Sequence, residues 1–206
     1  MAKLPIQEEI EAARALLEPY KLALGKVAHS WNHMQEQLGV LFCMVAGLDN
    51  RMGMAIWHAL KSDRSQRELL QAAIEAASDD EEWTNDFPKA KEDISWILKK
   101  VNKLTDGRNS AIHAPVFSVV VGEPELRPNT ILGNPNAAKL RGKDIIAEFE
   151  WYEEYFDSIK GFAAGVALAL MGRRRPNSVW TQWPDRPRLP TVKQKSAREG
   201  LEVDPK

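Results

Sequence analysis

The sequence predicts an all-α protein: an antiparallel bundle of four to six helices with a small β-hairpin insertion and an irregular C-terminal tail. Three observations predict it. Apolar residues recur at three- and four-residue steps over most of the chain, and the gaps between these stretches hold helix stop and cap residues. The β-branched run Phe117-Ser-Val-Val-Val121 is too short to found a sheet.

Taken in order, Ile6 to Leu48 reads as helix, because Leu16, Leu17, Ala23, Leu24, Val27, Trp31, Met34, Leu38, Leu41 and Phe42 share helical spacing. A break is expected near Pro19, whose ring cannot be accommodated in a regular helix interior. Gly47-Leu-Asp-Asn50 supplies a stop and a cap. A short helix from Met52 to Leu60 follows, and Ser62-Asp63 caps a second from about Arg64 to Ala77. The cluster Ser78-Asp-Asp-Glu-Glu82 opens the next element, and after Pro88 a long helix runs to about His113, stopped by Ala114-Pro115. Turn residues at Gly122-Glu-Pro-Glu125 and Arg127-Pro-Asn129 predict a hairpin that returns through Ile131 and Leu132. The final helix, about Gly142 to Met171, carries Ile145, Phe149, Tyr152, Phe156, Ile159, Phe162, Val166 and Leu170 on one stripe. Beyond Gly172 the stretch to Pro190 has four prolines and no helical period. Residues 1–171 therefore read as one helical domain and 172–206 as a basic, Pro-rich tail, pinned by Trp180 and Trp183.

Composition narrows the functional classes. With 44% apolar and 28% charged residues the chain is an ordinary globular protein. Its longest apolar run, Phe162 to Met171, is about half the length of a bilayer span, so no membrane partner is expected. The N-terminus reaches acidic residues at once, unlike a signal peptide, and the single Cys43 excludes an internal disulfide framework, which together predict a cytoplasmic location. Charge is uneven: residues 172–206 hold nine Lys/Arg and four Asp/Glu, a net of +5, against −6 for residues 1–171. No cofactor is implied, since no phosphate-cradling glycine loop occurs, and no Gly-x-Ser-x-Gly elbow supports serine hydrolase chemistry.

The helix that ends at His113 carries the chemistry. At about 100° per residue, Ile97, Val101, Leu104, Ala111 and Ile112 form an apolar stripe, and Arg108 falls in its middle. Asn102, Asp106, Asn109 and His113 form a second, polar stripe about a third of a turn away. An arginine in a core-facing stripe needs a carboxylate such as Glu36, a partner subunit or a bound anion.

The segment Leu104-Thr-Asp-Gly-Arg-Asn-Ser-Ala-Ile-His113 resembles the signature of the HEPN superfamily, an all-helical group whose motif is Arg, four to six residues, then His, with Asn, Asp or His after the Arg. Asn109 fits that preference. The motif closes a late helix, preceded by a long first helix bearing Trp31-Asn-His-Met-Gln-Glu-Gln-Leu38, and the likeness of architecture covers roughly residues 20–171. It implies metal-independent cleavage of RNA at a homodimer interface, with Arg108, Asn109 and His113 as catalytic residues. It also implies an antitoxin-like protein partner. In that chemistry the 2′-hydroxyl attacks the adjacent phosphate and leaves a 2′,3′-cyclic phosphate. His113 would move the proton and Arg108 would hold the developing charge. Glu36, Asn102 and Asp106 are further candidate binding residues.

Two other readings use different residues. The fold could serve as a non-catalytic interaction or nucleotide-binding module, with the basic tail assisting. Alternatively His29, His33 and Glu36, at i, i+4 and i+7 on one helix face, predict a helical-bundle metal site once a second helix completes it.

Overall fold

The computed structural model describes residues 5–78, 82–114, 116–119, 125–130, 133–173 and 182–191. The expectations that fall on Asp79 to Glu81, Pro115, Val120 to Pro124, Ile131, Leu132, residues 174–181 with Trp180, and residues 192–206 lie outside the described residues. Those described are mainly helical: α1 Pro5–Val45, α2 Asn50–Ala59, α3 Asp63–Ala76, α4 Glu82–Asp86, α5 Ala90–His113, α6 Pro135–Ala138 and α7 Ile145–Arg173. None of these helices is long and apolar enough to cross a membrane.

Helix α1 runs unbroken through Pro19, against the expected interruption. The reason is exposure. Every residue from Gln7 to Pro19 is exposed or half-buried, and Ala15, whose carbonyl loses its hydrogen bond to Pro19, stands in solvent. From Tyr20 onward the helix enters the core and buries Val27, Trp31, Met34, Leu38 and Leu41 completely. It stops at Gly47, whose φ of +68° is the left-handed conformation that favours glycine.

Capping residues set the next two boundaries. Asp49 accepts a hydrogen bond from the Met52 N–H at 3.0 Å, and Ser62 Oγ accepts one from the Ser65 N–H at 3.1 Å. Helix α7 starts three residues later than its apolar pattern predicts. Gly142 turns the chain at a φ of +72°, and Asp144 caps the helix by accepting from the Ala147 N–H at 3.1 Å. Two short strands, β1 Val116–Val119 and β2 Glu125–Pro128, pair antiparallel with Val116 opposite Pro128. The returning strand thus lies ahead of Ile131 and Leu132, where it was expected.

Side-chain contacts give the helix directions. Glu36 meets His58 while Phe42 stacks on Trp57, so α2 runs back along α1. Arg67 meets Asn102, and Lys91 meets the Ala77 carbonyl, so α5 runs antiparallel to α3. Trp96 packs on Phe162 and Gly107 on Tyr152, so α7 runs antiparallel to α5. Helices α1 and α7 depart from the antiparallel expectation, since Tyr20 packs on Phe149 and Trp31 on Phe156, which makes them parallel, and α3, which packs on α1 through Trp31 and Asp63, shares that direction. The alternation along the chain brings the first and last long helices to the same direction, and their broad shared face forms the centre of the core.

The tail is packed over residues 182–191, with Trp183 pinned as expected. Trp183 packs against Phe87 in a tilted pair with ring centroids 4.8 Å apart and donates its indole N–H to Asp93 at 2.7 Å. Arg186 donates to Asp93 and, at 2.6 Å, to Glu92, while Trp151 donates to the Pro190 carbonyl at 3.0 Å. The strap therefore crosses the start of α5 and ends on α7.

Candidate functional site

Helix α5 places the residues picked out in the sequence. Its apolar stripe is buried at Ile97, Val101 and Leu104, whereas Asn102, Asp106 and His113 are exposed and Asn109 is half-buried. The polar stripe thus faces solvent from the middle of the helix to its last residue. Gly107 interrupts the stripe for a steric reason. A Cβ there would overlap Tyr152 Oη and lie 3.0 Å from Tyr152 Cζ, so glycine lets α7 approach α5. That phenol donates to Glu148 at 3.3 Å, and burial first, then the Glu148 carboxylate, push its pKa up.

Arg108 turns inward. Its guanidinium lies 4.5 Å from the centre of the Trp31 ring, donates to Asn109 Oδ1 at 2.7 Å and stands 3.7 Å from Asp63. The carboxylate it faces is Asp63. Glu36 instead sits 3.4 Å from His58 at the surface. Trp31 itself donates to Asp63 at 2.7 Å, so ring, carboxylate and guanidinium form one unit. His113 does not share this unit, since five residues correspond to about 140° around the helix axis. Asn109 and His113, four apart, share a face.

A second arginine joins the unit, and the sequence reading missed it. Arg67 on α3 is 4% exposed, and its guanidinium lies 5.5 Å from the same Trp31 ring. It donates from Nε to Asn102 Oδ1 at 2.7 Å and from Nη2 to Thr105 Oγ at 3.3 Å. The signal was present. Arg67 stands three and seven positions before Leu70 and Ile74, which are buried on α3, so it occupies a core-facing stripe just as Arg108 does.

Charge and hydrogen bonding are both incomplete around Trp31. Asp63 is in contact with Arg108 and attracts Arg67 from further off, as Glu68 does, and among the described residues Nη1 of Arg67 and Nε of Arg108 are buried without acceptors. The Gln35 amide, one turn along α1 from Trp31, is likewise buried and unpartnered. Each unmet group costs about 1–3 kcal/mol. Burial pushes the pKa of both arginines down; Asp63 opposes this in each, and Arg108 adds to it at Arg67. Beside Arg67 opens a cavity of about 350 Å³, lined by Arg64, Glu68, Gln71, Asn102, Thr105 and Asp106. Two residues selected from the sequence, Asn102 and Asp106, thus line one cavity with Arg67.

The alternative metal residues come together only in part. His29 and His33 lie against each other, tilted, with ring centroids 4.1 Å apart, but no three His, Cys, Asp or Glu side chains among the described residues are grouped to hold a metal ion. No protein-family model matches this chain, nor does any curated protein or solved structure.

Proposed function

We propose that the chain is a HEPN-like, metal-independent endoribonuclease that works as a homodimer. The observation that carries this reading is the solvent-facing end of α5, where half-buried Asn109 adjoins Arg108 in a cluster of two guanidiniums around Asp63, and exposed His113 stands one turn beyond Asn109. A cation-rich cluster attracts a phosphodiester. His113 takes the proton of the 2′-hydroxyl as its oxygen attacks the adjacent phosphorus. The bond to the 5′-oxygen breaks, and that oxygen takes the proton back from the His113 imidazolium and leaves as a 5′-hydroxyl. Asn109 accepts from Arg108 through its carbonyl, which leaves its amide N–H groups to donate to a phosphate oxygen. Because Arg108 and His113 lie about 140° apart on one helix, a second copy supplies the complementary guanidinium across a two-fold axis. An antitoxin-like partner that covers this helix end would silence the activity.

Purified dimer should cleave RNA in EDTA and leave 2′,3′-cyclic phosphate ends. His113→Ala should lower that rate by about two to four orders of magnitude. Equal activity in the variant, or a requirement for added Mg²⁺ or Zn²⁺, would overturn the reading. One observation favours a non-catalytic nucleic-acid or nucleotide-binding module instead: the Arg108 guanidinium is already engaged by Trp31, Asn109 and Asp63.

A further inference from the structure

The cavity beside Arg67 takes no part in the cleavage step, yet it is built from charged and polar groups with unmet needs. Arg67 is 96% buried by its 4% exposure, and no carboxylate among the described residues is in ion-pair contact with it. Its two hydrogen-bond acceptors, Asn102 Oδ1 and Thr105 Oγ, are neutral, and its third nitrogen, Nη1, has no acceptor. Thr105 is itself oriented, because its hydroxyl proton goes to the Val101 carbonyl at 3.2 Å. A buried guanidinium hydrogen-bonded only to neutral groups, with Asp63 and Glu68 acting on it from outside ion-pair contact, favours an anion beside it.

We infer that this cavity is a phosphate-binding subsite, with Arg67 as its cation and Asn102 and Thr105 holding that cation in place. The carboxylates of the lining select the form of the phosphate. Glu68, engaged by Arg64 at 2.8 Å, and exposed Asp106 both line the cavity. They disfavour a dianion more than a monoanion. The singly charged phosphodiester of an RNA strand therefore suits the cavity better than free phosphate. Asn102 lies about 16 Å from His113 along the helix, at 1.5 Å per residue, on the same polar stripe. A strand cut at His113 would reach the cavity with a neighbouring phosphate. The RNA occupant rests on the proposed nuclease; the anion site does not.

The test converts the neutral acceptor into the missing charge. Asn102→Asp keeps the side-chain shape and gives Arg67 an internal carboxylate. In full-length His113→Ala protein, which leaves a probe intact, a five-nucleotide RNA and inorganic phosphate are each titrated by calorimetry. RNA should bind more tightly than inorganic phosphate, and Asn102→Asp should weaken RNA binding at least about tenfold while raising Tm. Arg67→Lys, which keeps the charge but loses the fork, should weaken it several-fold. Unchanged RNA affinity in folded Asn102→Asp protein overturns the site, as does the absence of binding by both probes at about 10 mM. Equal affinity for the two probes keeps the site and makes free phosphate its occupant. If the wild type cleaves no RNA but the Asn102→Asp effect holds, the nuclease reading alone falls.

Discussion

Two clusters in this protein use the same three residue types and reach opposite states. At the start of α5, Asp93 accepts from the Trp183 indole and from Arg186, whose guanidinium also lies 5.6 Å from the Trp96 ring. At the other end of that helix, Asp63 accepts from the Trp31 indole and faces Arg108, whose guanidinium lies over the same Trp31 ring. The ratio of charges differs. Arg186 has two carboxylates, Glu92 and Asp93, and hydrogen bonds to them, Glu92 foremost, push its pKa up. Arg67 and Arg108 share Asp63, with Glu68 attracting Arg67 alone and from outside ion-pair contact, and burial, the largest cause, pushes both down. The first cluster is complete within the chain and fastens a strap. The second lacks negative charge and retains buried donors without acceptors, as expected where a ligand finishes the structure.

The largest effect is expected where the cluster is complete. Asp93 is buried, so Asp93→Ala leaves the Trp183 N–H and the Arg186 guanidinium without their acceptor. Breaking such a pair should cost about 3 kcal/mol, the low end of the usual range because Arg186 is about a third exposed. Truncation after Arg173 removes both partners together. In that shortened chain the same substitution should cost less than about 1 kcal/mol, since it no longer orphans anything. Urea denaturation of the four proteins measures both values. Equal costs in the two backgrounds would break the comparison, because Asp93 would then act through some other contact.

A middle effect is expected at Gly107, which sets how closely the incomplete cluster is held. Alanine there gains about 1 kcal/mol of helix propensity. Against this stands the overlap with Tyr152, a 5% exposed ring stacked on Phe156 at 6.0 Å and unable to retreat. Overpacking of this kind costs about 1–3 kcal/mol, so Gly107→Ala should destabilise by about 1–2 kcal/mol net. Tyr152→Phe removes the overlapping oxygen. The double variant should therefore be more stable than the two single costs predict, measured by the same denaturation. Additive costs would show that α5 is not positioned by this contact.

These two clusters also show what the sequence makes legible. Helices with one buried stripe, and ends capped by Asp49 and Ser62, are local features, written in spacing and residue type. Arg108 stood out because its stripe was clean. Arg67 sits in Asp63-Arg-Ser-Gln-Arg-Glu68, where neighbouring charges make the segment look like a solvated face, although its spacing to Leu70 and Ile74 carried the same signal. The strap was harder still. Its hold depends on Asp93, ninety positions from Trp183, and a Pro-rich segment has no period to betray a buried side. Pro19 misled for the converse reason: a residue that breaks a buried helix is tolerated where water can meet the freed carbonyl.

The smallest effect is expected at Glu36, and its smallness carries information. The sequence offers Glu36 as the carboxylate for Arg108, yet in the fold it lies 3.4 Å from His58, with the two side chains 49% and 54% exposed. An ion pair in such surroundings is screened by water and salt, and its side chains give up rotamer freedom to hold it. Glu36→Gln should therefore change the unfolding free energy by less than about 0.5 kcal/mol. It should also leave the calorimetric RNA affinity of the Arg67 cavity unchanged, because Asp63 is the carboxylate that the two guanidiniums share. A loss of more than about 1 kcal/mol, or a tightening of RNA binding as negative charge is removed, would place Glu36 inside the cation cluster. The charge ratio around Trp31 would then be two to two, and the contrast with Asp93 would disappear.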